Sequence, residues 1–267
     1  SAKSRECRID SIAQSWSVLS RPSGAPPSAR ARAAVRAAEE QLVREADRLV
    51  LLFWPPFDTT SHDPGYVRAY PPGVRENGGQ YTHASTWLGF AHASLGDGTG
   101  AERIFRLLNP VLRAATPAEA ARYRIEPYVL AGDIYSAPPW VGRGGWSWYT
   151  GSASWMWRLG VEAILGLRQE EGALAIEPCI PASWPGFEAW VRLGPPPTAP
   201  DAHDAHSVHI VVENPDRVAS GVAAITLDGS PLPSHRIPHP PAGSGVVTQE
   251  VRVRLGAAPP CASLGGT

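Results

Sequence analysis

Two turns in this sequence carry side chains suited to holding an anion or a sugar. In residues 144–157, four of the ten tryptophans and the single methionine surround the small polar turn Thr150, Gly151, Ser152, Ala153. A threonine ahead of a run with helical spacing (Trp155, Leu159, Ile164) predicts an N-cap, with the Gly151 and Ser152 N–H groups left unpaired at the positive end of a helix. Such an end accepts phosphate or carboxylate. Aromatic rings beside it can stack on the C–H face of a pyranose or simply fill a core.

The second turn is residues 71–83, where Arg75, Glu76, Asn77, Gly78 and Gly79 lead into Tyr81 and His83. Tyr81, Ala84, Trp87, Leu88 and Ala91 then follow at helical intervals. The glycine pair admits a close approach by backbone or ligand, and His83, one turn into the helix, could share that ligand. Two helix starts of this kind point to one shared pocket.

Other candidates are weaker. His62 and Asp63 are adjacent in a Pro/Gly loop, where turn formation is the ordinary role. His203, His206 and His209 lack a second ligand motif, so no metal site is assigned. Glu126 and Asp133, seven apart, are expected on one helical face, where a carboxylate pair could serve a hydrolase or order neighbouring arginines. Arg143 could contact an anion or the helix that Thr150 caps. Cys7, Cys179 and Cys261 are too few and too scattered for a disulfide framework, which fits a reducing compartment.

The elements that must position these residues read as follows. Ile9, Ile12, Ala13, Trp16 and Leu19 predict a helix with an apolar face. After a linker at 21–28, Val35, Ala38, Leu42, Val43, Ala46 and Leu49 predict a second helix, with Arg36, Glu39, Glu40, Arg44 and Arg48 as its solvated face. The proline-rich loop 54–66 is expected to line the pocket mouth. Further helices are predicted around Ile104 to Leu108, after Thr116-Pro117, and over Glu126 to Tyr135. Past Leu167 the pattern alternates, with strands at 174–178, 187–193, 206–212, 222–227 and 246–255 and a hairpin turn at Asp228-Gly229.

The expected fold is therefore mainly α: the C-terminal part of an (α/α)6 toroid in residues 1–170, followed by a small β-rich region in residues 171–267. Lys and Arg total 24 against 25 Asp and Glu, which leaves no electrostatic footprint for nucleic acid. No apolar run approaches the roughly 18 residues of a membrane span. The start at Ser1, without initiator methionine or signal-peptide pattern, reads as a point partway through a larger protein.

Residues 7–16, 71–83, 126–128, 144–155 and 181–187 together resemble glycoside hydrolase family 94, which holds cellobiose and chitobiose phosphorylases and the C-terminal part of cyclic β-1,2-glucan synthases. The last is the most similar, through residues 58–77 and 176–181. The resemblance spans roughly residues 5–193. It implies an (α/α)6 barrel and an inverting phosphorolysis of a β-glucoside or β-glucan, with inorganic phosphate as substrate and no cofactor. By the same resemblance His83, Thr150 and Gly151 would bind phosphate, and Glu76 and Tyr81 would lie near the sugar. The family's general-acid aspartate and a phosphate-binding arginine belong to motifs absent from this sequence, so no catalytic residue is assigned. The acid is expected in an upstream part of the same polypeptide, and the chain alone is expected to be inactive. Asp10 reads as structural. The resemblance also implies a cytoplasmic location, or the cytoplasmic face of a membrane-bound synthase, and leaves a homodimer open. Two other functions fit the same residues: a hydrolase using water with Glu76 as acid, and a non-catalytic carbohydrate-binding fragment.

Overall fold

The structure, a computed structural model, describes residues 4–22, 25–61, 63–148, 150–193, 206–239 and 248–257. His62, His203, Cys261, residues 195–197 and 240–241, and the side chain of His206 lie outside the described residues. The chain divides into two compact units, Ser1–Gly160 and Val161–Thr267.

Among the described residues the first unit holds seven α-helices: α1 (Ser11–Leu19), α2 (Ala29–Leu42), α3 (Thr82–Ser94), α4 (Gly98–Leu108), α5 (Pro110–Arg113), α6 (Pro117–Tyr123) and α7 (Ser152–Arg158). Helix α3 is the hub, packed against α1, α2, α4 and α7. Its buried residues Ala84, Ser85, Gly89 and Ala91 are small, so its neighbours approach closely. Val18, Val35, Ala38, Leu42, Leu88, Ile104 and Leu108 form the core between the helices.

Capping follows local chemistry. Asp10 caps α1, accepting from the Ile12 (2.8 Å) and Ala13 (3.2 Å) amides, which gives it the structural role expected. Thr116 caps α6 through the Glu119 amide, with Pro117 at the first helical position.

Three expectations are corrected. The apolar stripe of α1 is not its packed face: Ser11, Ser15 and Val18 are buried, while Ile12 and Trp16 are 37% and 40% exposed. Small serines let α1 sit close to its neighbours, a contact that hydrophobic spacing does not report. Helix α2 stops at Leu42, because Val43 pairs with Val50 in a two-residue ladder. Residues 126–135 form no helix. The Tyr123 hydroxyl takes the Ala131 amide (3.0 Å) and donates to the Val129 carbonyl (2.7 Å), and Asp133–Ile134 pairs with Gln80–Tyr81. Tertiary hydrogen bonds override local propensity there.

A π-helical turn (Leu159–Ile164) follows α7 in sequence across the boundary at Val161, and the second unit is otherwise β among the described residues. Its five-stranded sheet runs Ser230–Pro231, Val222–Leu227, Thr248–Leu255, His206–Glu213, Gly186–Leu193, antiparallel except between Thr248–Leu255 and His206–Glu213. Val208, Ile210 and Val212 alternate inward with Val251, Val253 and Leu255, the period-two pattern of a half-buried sheet. A three-stranded sheet joins Arg236–Pro238, Ala173–Ile176 and Leu167–Glu170. Asp228 and Gly229 have φ of 49° and 81° between paired Leu227 and Ser230, the tight hairpin turn expected. With this much sheet, "mainly α" holds for the first unit and not for the chain.

Candidate functional site

The two helix starts are joined by a short ladder in which Tyr81 faces Asp133 and Gln80 faces Ile134. The Thr82 N–H donates to the Gly132 carbonyl (3.0 Å), and the Gly145 N–H to the Asp133 carbonyl (2.9 Å). The Trp146 N–H donates to Asp133 Oδ1 (2.9 Å). These bonds tie the entry of α3 to the segment that leads to α7.

The result is a convergence. A Cβ built on Gly151 would lie 3.7 Å from His83 Cε1 and 3.8 Å from its Nδ1. His83 also sits among aromatic rings: Trp87 edge-on at 4.8 Å, Trp155 at 5.6 Å, and Tyr81 stacked at 6.4 Å between centroids. Trp87 packs in turn against Trp155 and Trp16. Burial lowers the His83 pKa below its ordinary 6.5, which favours the neutral ring. Its Nε2 is buried with no partner among the described residues.

The cap of α7 differs from expectation by one residue. Gly151 occupies the N-cap, and the Thr150 hydroxyl accepts the Ser152 N–H (3.1 Å) while bonding the Ser152 hydroxyl (2.6 Å). The Ser152 amide is therefore already engaged, and the exposed Gly151 amide has no partner among the described residues. Thr150 stays close to the ladder, since a Cβ on Gly132 would come within 3.3 Å of its Oγ1.

Glu76 lies in the turn closed by the Val74 and Asn77 bridge. Its Oε2 is 3.7 Å from Arg75 Nε. Burial, and next the Glu76 charge, raise the Tyr81 pKa, so the phenol remains a proton-bearing donor. Arg75 reaches over the Tyr70 and Trp146 rings at 5.2 Å and 5.7 Å. Gly78 and Gly79 do admit a close approach, but by the chain itself: a Cβ would meet Pro56 Cβ at 2.8 Å in one case and the Arg75 carbonyl at 2.8 Å in the other.

Several positioning residues were not singled out from sequence. Asn77 is fully buried; it accepts from the Phe57 N–H and donates to the Phe57 and Tyr70 carbonyls, each at 2.8 Å. Gln80, also buried, accepts from the Val50 N–H (3.0 Å) and donates to Thr82 Oγ1 (3.1 Å). Their signal was available: carboxamides flanking a glycine pair can bond a donor and an acceptor together. Glu6 gathers the amides of Asp58 and Thr59 at the start of the 54–66 loop. Asp133, expected from sequence only as a partner of Glu126, is buried with Oδ2 unpartnered, and burial raises its pKa.

The remaining candidates are placed as follows. Asp63 accepts the Gly65 N–H (2.8 Å), a turn-forming role. His209 stacks on Trp190 (4.3 Å, 13°) and bonds Glu188 (3.1 Å). Among the described residues no cluster of three His, Cys, Asp or Glu side chains could hold a metal. Exposed Glu126 and buried Asp133 share no helical face. Arg143 packs over the Trp140 ring at 5.2 Å. The charges expected to be simple solvation on α2 are partly engaged, because Glu39 pairs with Arg103 and approaches His92 (3.4 Å). Among the described residues no helix is long and apolar enough to cross a membrane.

Comparison with known families matches residues 1–166 to the catalytic domain of the glycosyl hydrolase 94 superfamily. The chain is 55% identical over 193 residues to the cyclic β-(1,2)-glucan synthase NdvB of Rhizobium meliloti, covering 72% of this chain and 7% of that protein. It is 31% identical over 250 residues to the N,N'-diacetylchitobiose phosphorylase of Vibrio proteolyticus, covering 91% and 28%. A solabiose phosphorylase of Paenibacillus borealis is 27% identical over 82% of this chain and 26% of its own length. The chain thus spans under a third of each of these curated relatives.

Proposed function

This chain belongs to the glycosyl hydrolase 94 superfamily, and on that premise we propose that it supplies the phosphate-facing and part of the sugar-facing wall of an inverting glycoside phosphorylase site acting on a β-glucoside or β-glucan. The observation that carries this reading is the approach of His83 to Gly151, 3.7 Å from ring carbon to built Cβ. A phosphate there meets an imidazole nitrogen, the Gly151 amide and the Thr150 hydroxyl. Three donors from two helix starts fix a tetrahedral anion without an added positive charge.

In the reaction, a phosphate oxygen forms a bond to the anomeric carbon from the face opposite the leaving group, and the glycosidic C–O bond breaks. The leaving oxygen takes a proton from a carboxylic acid, which the family pattern assigns to an upstream part of the polypeptide. Phosphate arrives anionic, so no base is required. Glu76 and the protonated Tyr81 bond sugar hydroxyls, and the rings around His83 offer apolar faces to the pyranose. The helical unit is read as part of an (α/α)6 barrel whose remaining helices cover the exposed Ile12 and Trp16 of α1.

Calorimetry with inorganic phosphate tests the reading. Each donor lost costs about 1.5–3 kcal/mol, or roughly tenfold to a hundredfold in Kd, so His83→Ala and Thr150→Ala should each weaken binding by that factor. Phosphate binding indifferent to both substitutions would remove the assignment.

A further inference from the structure

Away from the two helix starts, the helical unit holds a cavity of about 190 Å³ lined by Asp47, Arg48, Arg113, Glu119, Arg122 and Tyr123. Arg113, the last residue of α5, is 6% exposed. Its guanidinium donates to the Arg48 carbonyl and to Gln80 Oε1 (3.4 Å). Its Nε has no partner, and no carboxylate pairs with it among the described residues. Burial pushes its pKa down to about 10, the direction expected of a cation whose charge nothing nearby neutralises. A guanidinium removed from water without a counter-ion is strongly disfavoured.

The other arginines are not equivalent. Arg48 is neutralised by Glu119 at 3.0 Å, and Glu119 also accepts from the Thr116 hydroxyl (2.9 Å). Arg122 is exposed and makes no ion pair among the described residues. Its stem lies against Gly142, where a Cβ would come within 2.8 Å of Arg122 Cδ, and both residues line the cavity. Asp47 is the remaining carboxylate of the lining. Two guanidinium groups without a carboxylate partner among the described residues, one buried and one exposed, leave a net positive cavity several times the roughly 30 Å³ of a water molecule.

We propose that this cavity is an oxyanion site, separate from the His83 and Gly151 site, that takes inorganic phosphate or a phosphate group of similar size between Arg113 and Arg122. Planar guanidinium forks suit such a tetrahedral anion. The inference does not depend on the phosphorylase reading, since the two sites share no residue.

Phenylglyoxal labelling mapped by mass spectrometry tests it on the intact chain. Inorganic phosphate at about ten times its Kd should slow modification of Arg122 about tenfold and leave exposed Arg36 unaffected. The same protection should persist in His83→Ala. Calorimetry should show one phosphate event weakened about tenfold or more by Arg122→Ala, a substitution at an exposed side chain whose thermal melt should match the parent. Labelling of Arg122 that saturating phosphate does not slow, or an unchanged isotherm in Arg122→Ala, overturns the proposal. So does protection that vanishes with His83→Ala. An isotherm altered by Arg122→Ala yet indifferent to His83→Ala supports this site and removes the other.

Discussion

Replacing Gly151 by alanine separates stability from ligand binding at a single atom. Gly151 has φ −81° and ψ 0°, a backbone that alanine adopts. The added methyl would meet His83 Cε1 at 3.7 Å, His83 Nδ1 at 3.8 Å and Trp155 Cδ1 at 3.9 Å, all ordinary van der Waals separations. The folded chain does not resist it, and the gain of about 0.4–1 kcal/mol from the freedom that the unfolded chain loses is offset by alanine's weaker preference for the N-cap, so stability should stay within about 1 kcal/mol of the parent. At this chain length that is at most roughly 4 °C in Tm. Phosphate binding should change far more. An anion shared by the Gly151 amide and the His83 ring needs oxygens about 2.9 Å from nitrogen, and the methyl fills the space through which they reach. Loss of one charge-assisted bond gives about a tenfold to hundredfold weaker Kd. Thermal melts and phosphate calorimetry on one preparation read both effects. A variant that melts within roughly 4 °C of the parent and binds phosphate equally well refutes an anion at this position; one that melts further below refutes the steric argument.

Three further outcomes follow from the buried polar groups. Burial raises the Asp133 pKa above its ordinary 3.8, so the parent loses stability as pH rises through that raised value. Asp133→Asn cannot ionise and keeps an oxygen for the Trp146 amide, so urea midpoints across the acidic range should show the parent falling relative to the variant; parallel curves would contradict this. Asn77→Ala strands two carbonyls and an amide and should cost about 3 kcal/mol in urea unfolding, with a loss under 1 kcal/mol arguing that the turn is held by other bonds. The Thr59 amide, with help from the Asp58 amide, lowers the Glu6 pKa below 4.5. The stability it contributes is present above that pH and lost as pH falls through the lowered value. Glu6→Gln should therefore melt below the parent at neutral pH and converge with it in acid; a gap that stays constant would show that the carboxylate charge is irrelevant.

What could be read in the sequence was what neighbours along the chain decide. Thr116-Pro117 starts α6 and Asp228-Gly229 turns a hairpin because cap, φ and turn chemistry are local. The face of α1 was misread because its contact side is Ser11, Ser15 and Val18, and close packing of small residues carries no hydrophobic period. Residues 126–135 were misread because the decisive bonds come from Tyr123 and Gln80–Tyr81. Each helix start of the candidate site was visible alone. What brings them together is a two-residue ladder, too short to show any alternation.

That ladder explains why the site can be accurate while built on loops. His83 is two residues beyond Tyr81, and Gly151 follows a segment fastened at Gly132, Gly145 and Trp146; Tyr81 and that segment both meet at Asp133. The close fit requires absent side chains: a Cβ on Gly132 would approach the Trp146 carbonyl at 3.2 Å, and one on Gly145 would enter the Asp133 carboxylate. Asn77 and Gln80 anchor the other end with buried carboxamides whose bonds are directional. Directional bonds to a rigid hub set position more narrowly than apolar contact does, since burial is indifferent to small rotations. The distance from His83 to Gly151 is therefore controlled by backbone partners in residues 77–82 and 132–146, and substitutions there should alter that distance before they alter the helices.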